Sequence, residues 1–273
     1  MMRRRDLLKA GALAITASAP ADAEDPGCKP GNTKGTFVLV HGANQGAWIW
    51  RDVETVLRLE GYQVFTPTLT GLGALSHRVS PNIGLRDHIA DIVNVIDTEE
   101  LDDVLLVGHS YGGTVVTGAC DALRERIKKV VFLDANAPED GQPTIPGLTP
   151  ELVEKVTGQP PENGYLVPAL PPARLGIDPA DEELTALLER RMTGHPIRTL
   201  SEPLELPNGG TQGLDRTFVL MTPLDKLQPF ARKRMKEIDA DESWNYRELL
   251  AGHQAMLVAP CEVAELLLEL VEG

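Results

Sequence analysis

The sequence predicts an α/β fold: a mainly parallel sheet with helices on both faces. Three observations carry that expectation. Short apolar runs recur along the chain, at Thr36–Val40, Val104–Val107, Val130–Leu133 and Thr217–Met221. Runs of this length and continuity suit strands buried on both faces. Segments of helical period fall between them, as crossover connections require. The third observation is Gly108-His109-Ser110-Tyr111-Gly112, a Gly-x-Ser-x-Gly turn set between a strand pattern and a helix pattern.

Residues 1–23 are expected to stand outside the fold. Arg3-Arg4-Arg5-Asp6-Leu7-Leu8-Lys9 precedes a mildly apolar run and then Ala21-Asp22-Ala23. That order predicts a twin-arginine-type signal peptide, read by the export machinery and removed. A periplasmic or secreted chain follows from it. The run is too short for a bilayer, and no later stretch reaches about 18 apolar residues, so no stable membrane anchor is expected. The formal net charge is −14, and removal of four bases and two acids with residues 1–23 takes it to −16. Such acidity argues against nucleic acid and anionic lipid as partners. Cys28, Cys120 and Cys261 are too scattered for a disulfide framework or a metal site. Cys120 and Cys261 fall on apolar helix faces and read as core, and a disulfide stays open.

Residues 24–35 form a Pro/Gly-rich lead-in. The first part of the core, 36–137, begins with the strand Thr36–Val40. Trp48–Leu59 has helical spacing (Val53, Val56, Leu57) and stops at Gly61. Val64–Leu69 reads as a strand whose Pro67 marks an end or an edge. Leu85, Ile89, Ile92, Val93 and Ile96 mark an amphipathic helix. The Ser110 strand, a helix through Thr114–Cys120 and the strand Val130–Leu133 complete this part. From 138 to 213 the pattern breaks into Pro- and Gly-rich chain with two helical candidates, Pro150–Val156 and Asp181–Met192. So long a stretch reads as an inserted cap. Residues 214–273 resume with the strand Thr217–Met221, a helix near Phe230–Ile238, strand-like Asn245–Leu250 and a closing helix, Cys261–Val271.

A serine hydroxyl needs a base, and the base needs a carboxylate to orient it. The sharp strand-to-helix turn holds the Ser110 hydroxyl clear of the sheet, above a helix N-terminus that favours developing negative charge. In a fold with this turn the chain order is Ser, acid, His. His253 is the candidate base, since it lies between the last strand pattern and the last helix. Two acids compete, each just past the end of a strand: Asp225 after Thr217–Met221 and Asp134 after Val130–Leu133. The two oxyanion donors are expected to be the amide of Tyr111 and one after the first strand, at Ala43.

These residues resemble the α/β-hydrolases, in the compact group of plant methyl esterases, hydroxynitrile lyases and bacterial relatives. The resemblance rests on Val40-His41-Gly42-Ala43, Gly46-Ala47-Trp48-Ile49-Trp50, Leu69-Thr70-Gly71-Leu72-Gly73, the Ser110 turn, Ala137-Pro138-Glu139-Asp140-Gly141 and Gly252-His253-x-x-Met256. It implies the α/β-hydrolase fold, with the cap between the sixth and seventh strands of that fold. It also implies Ser110 as nucleophile, His253 as base, Asp225 in preference to Asp134 as acid, and Ala43 and Tyr111 as oxyanion donors. The segment around Asp225, Thr-Pro-Leu-Asp-Lys, is one residue longer than the family's Thr-x-Asp pattern.

The lyases of the group carry Lys after the histidine, Thr in the oxyanion loop and Cys after the nucleophile. Here those places hold Gln254, Gly42-Ala43 and Tyr111. The expected activity is therefore hydrolysis of small-molecule carboxylic esters through an acyl-enzyme on Ser110, without metal or organic cofactor. Lyase-like or acyltransferase activity, or a catalytically weak ligand-binding role, are the alternatives. Trp48 and the cap residues Leu166, Val167, Leu170 and Leu175 are candidates to line a substrate pocket.

Overall fold

The computed structural model describes residues 33–227 and 229–272; the expected signal peptide and Cys28 lie outside them. Among the described residues six parallel strands make the sheet: β1 (Thr36–Val40), β2 (Gln63–Phe65), β3 (Val104–His109), β4 (Ile127–Leu133), β7 (Arg216–Leu220) and β8 (Asn245–Glu248). Their spatial order is β2-β1-β3-β4-β7-β8, so the Ser110 strand lies at the centre with β1 on one side and β4 on the other.

The alternation of side chains along each strand divides the core in two. Val38 and Val40 of β1, Leu106 of β3, and Val130 and Phe132 of β4 point to one face. Phe37, Leu39, Leu105, Val107, Val131 and Leu133 point to the other. Each face needs an apolar cover. The first receives α2 (Leu85–Thr98), α3 (Gly112–Ala122) and part of α7 (Pro229–Asp239) through Ile92, Ile96, Val115, Ala119, Met235 and Ile238. The second receives α1 (Arg51–Leu59) and α9 (Pro260–Glu272) through Val53, Leu57, Val263 and Leu267. Cys120 is buried in the first cluster, as expected. Cys261 is exposed, contrary to expectation. It falls off the Val263–Ala264–Leu267–Leu270 stripe that α9 presents to the sheet.

Two strands are shorter than expected. β2 stops at Phe65, before Pro67, and the next chain is held differently: the Leu69 amide donates to His41 Nε2 at 3.1 Å. The last strand ends at Glu248, and the Leu249 amide bonds back to the Leu220 carbonyl. The Trp48 end of the first helical segment is a 3-10 turn, Ala47–Trp50, leading into α1.

Between β4 and β7 the 138–213 segment carries α4 (Pro150–Thr157), β5 (Leu166–Val167), α5 (Glu182–Arg191), β6 (His195–Pro196), α6 (Ile197–Ser201) and a 3-10 turn, Pro172–Leu175. Its helices start where capping chemistry permits. The Thr149 hydroxyl accepts from the Leu152 amide at 3.2 Å, and the Asp181 carboxylate from the Leu184 amide at 2.9 Å. β5 and β6 form a two-stranded antiparallel ribbon. Farther along, α8 (Ala255–Val258) connects the His253 loop to α9. Among the described residues no helix is long and apolar enough to cross a membrane.

Candidate active site

β3 ends at His109, and the chain must reverse into α3 within two residues. Ser110 takes the turn at φ 53°, in the left-handed region that costs a side-chain-bearing residue of order 1–3 kcal/mol. Neighbouring chain holds it there. The Ser110 amide donates to the Leu133 carbonyl at 3.2 Å, and its own carbonyl accepts from Gly113 and Asn136 at 3.1 and 2.9 Å. Gly112 leaves the necessary room, because a Cβ there would lie 2.6 Å from the Val40 carbonyl oxygen.

The His253 loop approaches from the end of β8. His253 Nε2 lies 3.1 Å from Ser110 Oγ, and its Nδ1 lies 2.8 Å from Asp134 Oδ2. With Nδ1–H donating to the carboxylate, Nε2 offers its lone pair to the serine hydroxyl. Two contacts brace the base: buried His109 donates from Nε2 to the His253 carbonyl at 2.8 Å, and Gln254 accepts from Gln45 Nε2 at 2.9 Å. Burial lowers the His109 pKa to about 3, so it donates as a neutral ring.

The structure places the two candidate acids differently. Asp134, not Asp225, meets His253. β4 and β7 are adjacent and parallel, so their C-terminal ends come together, and β7 supplies donors where an acid was expected. The amides of Met221 and Thr222 donate to Asp134 Oδ1 at 2.9 and 3.1 Å, and the Thr222 hydroxyl donates to Oδ2 at 2.5 Å. Burial alone would raise the Asp134 pKa; the bonds from His253, Thr222 and Met221 outweigh it and bring the carboxyl to about 2. Asp225 sits in an exposed 3-10 turn, Leu224–Lys226, with its carbonyl accepting from Arg232 Nη2 at 2.9 Å. Pro223 and Leu224, one residue more than a Thr-x-Asp spacing holds, carry it past the strand end.

Ala43 lies in the loop after β1, whose Gly42 would place a Cβ 3.0 Å from Ser110 Cβ, and Tyr111 follows Ser110 at the entrance to α3. Among the described residues neither amide donates to a protein acceptor, which leaves both available to a developing oxyanion. The Tyr111 side chain turns inward, where its hydroxyl donates to His88 Nδ1 at 2.9 Å while His88 Nε2 donates to the Thr70 carbonyl. Trp48 is half-buried, with its indole N–H unpartnered among the described residues and the Arg191 guanidinium 5.7 Å from the ring centre.

Sequence reasoning missed Asn44, Gln45, Thr222 and the positions of His109 and His195. Asn44 had a readable signal, since Asn tolerates the left-handed backbone it adopts at φ 63°. The others become visible only once distant segments meet. Among the described residues no group of three or more His, Cys, Asp or Glu is arranged to hold a metal ion.

A family model described as the alpha/beta hydrolase family matches residues 37–266. The carbendazim hydrolyzing esterase of Nocardioides sp. (strain SG-4G) is 37% identical over 236 residues, 84% of this chain and 96% of that protein. A putative chloroplastic methylesterase 15 of Arabidopsis thaliana is 32% identical over 127 residues, 44% of this chain and 29% of its own length. Among solved structures, an extracellular alpha/beta-hydrolase from a Paenibacillus species superposes with a TM-score of 0.70 at 23% identity, covering 86% of this chain and 98% of that one. A methylesterase from Arabidopsis superposes with a TM-score of 0.68 at 22% identity, covering 87% and 98%. Sequence match and architecture agree: the chain belongs to the alpha/beta hydrolase family.

Proposed function

We propose that this protein is a serine esterase that hydrolyses carboxylic esters of small molecules, with Asp134, His253 and Ser110 as its catalytic triad. The observation that carries the reading is the unbroken chain from Asp134 Oδ2 through the His253 ring to Ser110 Oγ, with contacts of 2.8 and 3.1 Å. In this reading His253 takes the serine proton as Oγ attacks the ester carbonyl, and the Ala43 and Tyr111 amides hold the oxyanion. His253 then protonates the departing alcohol. A water molecule, deprotonated by the same ring, cleaves the acyl-enzyme to release the acid and restore Ser110. The 37% identical relative named for hydrolysing carbendazim supports an esterase that acts on small molecules.

A cavity of about 300 Å³ runs along the Asp134–His253 pair, walled by Ala135, Pro138, Phe218, Leu227 and Met235. It is the candidate site for an apolar substituent of the substrate, with the 138–213 insertion, which lends Pro138, Gln142, Pro143, Thr144 and Pro146 to its wall, as cap. Gln254 argues against the lyase alternative. Its side chain is buried and neutral and faces Gln45, so it supplies no cation to a leaving anion. Residues 1–23 are read as the export signal of a periplasmic or secreted enzyme.

The test is intact-mass spectrometry after a fluorophosphonate probe, beside p-nitrophenyl acetate turnover. One adduct on the wild type, absent from Ser110→Ala together with turnover, is expected. Undiminished turnover by a folded Ser110→Ala protein would sink the reading.

A further inference from the structure

Asn44 follows the expected oxyanion donor Ala43, and all of its polar groups except the side-chain oxygen are engaged by the 138–213 insertion. Its amide donates to His195 Nδ1 at 3.2 Å, and its carbonyl accepts from the Thr193 amide at 2.9 Å. Its side-chain Nδ2 donates to the carbonyls of Val167 and Thr193 at 2.9 and 2.8 Å. Asn44 is 7% exposed, so these bonds are shielded from water. The insertion's side of the joint is itself fixed. β5 and β6 pair Val167 with His195, and His195 Nε2 donates to the Thr199 hydroxyl at 2.7 Å, which donates to the Pro196 carbonyl. The joint is also tied to the serine turn, because the His195 ring packs edge-on against Tyr111 with centroids 4.7 Å apart. On the opposite side the same loop is anchored to the base: Gly42 N–H donates to Gln45 Oε1, and Gln45 reaches Gln254.

We infer that Asn44 is a positioning residue that makes the oxyanion hole depend on the insertion, holding the Ala43 amide in register with Ser110 only while β5 and β6 are seated. The inference rests on the serine-esterase reading above. A donor held by a short loop loses value quickly when misplaced, since its contribution comes from pre-set alignment with the transition-state oxygen. The ground-state ester, whose carbonyl carries less charge, is less sensitive to that alignment.

The test compares the wild type, Asn44→Gly and Asn44→Asp on p-nitrophenyl acetate. Gly keeps the left-handed backbone without the side-chain donor, and Asp keeps the size but opposes a carboxylate to two carbonyls. Inhibition by phenylboronic acid, which forms a tetrahedral adduct on an activated serine, and by acetate is measured alongside, with thermal melts to verify folding. The expected result for Asn44→Gly is a fall in kcat of about 10–100-fold with KM held within about threefold. Boronate inhibition should weaken in parallel and acetate inhibition should be unchanged. Asn44→Asp should fall further. Unchanged kcat in a folded Asn44→Gly protein would overturn the inference, as would equal weakening of boronate and acetate, which would make the joint a wall of the pocket only. Full turnover by Ser110→Ala would remove the serine reading, and the positioning role with it.

Discussion

Thr222 gives both its amide and its hydroxyl to Asp134, across the ends of two adjacent strands. Those bonds join the Met221 amide and His253 in surrounding a carboxylate held at about pKa 2. The strand end where the family resemblance implied the acid thus carries hydrogen-bond donors to Asp134.

Asp134 and Asp225 make a direct pair of tests. Asp134→Asn keeps the shape but loses the acceptor that orients His253, and its kcat should drop about 10³–10⁴-fold. Asp225→Asn, in its exposed turn, should stay within about twofold of wild type, as surface changes away from a site do. Steady-state kinetics on p-nitrophenyl acetate decides; the reverse ranking would restore Asp225.

Thr222→Val removes one donor to a charged group, a bond worth about 1.5–3 kcal/mol. The Asp134 carboxyl should then titrate above about 2. Its lowered folded-state pKa contributes stability present above the unfolded value and lost as pH falls through about 2. In the variant the loss starts from the same unfolded value but levels off at a higher pH and is smaller in total, so the offset in melting temperature from wild type should shrink as pH falls. Melting curves between pH 5 and pH 2 measure the offset, and superimposable curves would refute it.

Buried histidines set a second, higher window. Burial holds His41 at about 4 and His109 at about 3, and pushes His88 and His195 down as well. The unfolded chain takes up these protons near the ordinary histidine value, while the folded chain resists them. Stability should therefore decline as pH falls from about 6.5 toward 4, with uptake of protons on unfolding. Calorimetry across that range reads both quantities; a flat melting temperature would contradict the arrangement.

Gly113 lies where α3 passes the Asp134 loop, and a Cβ there would fall 2.0 Å from the Asn136 carbonyl oxygen. Gly113→Ala must push that loop, at a cost of about 1–3 kcal/mol. Because the loop carries Asp134, kcat should fall with stability. Urea titration and turnover on the same sample check both, and unchanged values would show that the loop yields freely.

Most of the scaffold was legible because its signals are local. The apolar period of β1, β3 and β4 and the glycines around Ser110 predict their own geometry, and His253 follows from its place before the last helix. The acid was not legible in the same way. Asp134 and Asp225 both follow strands, and only the seating of Met221 and Thr222 against one of them separates the two. The roles of His195 and Asn44 depend on a pairing 151 residues apart, for which neither segment carries a period. Cys261 read as core because its neighbours are apolar; the phase of α9 turns it outward.

The position of Asp134 ahead of residue 138 has a consequence for how such a protein can diversify. Ser110 and Asp134 directly follow neighbouring strands, β3 and β4, which are paired up to His109 and Leu133, and both precede the 138–213 segment. Segments of other lengths or compositions grafted between β4 and β7 would leave that pair intact and put at risk the return of β7, the histidine loop and the Asn44 joint. On the proposed reading two members of the triad thus precede the 138–213 segment and only His253 follows it, so a change of segment is read out first in the placing of the base.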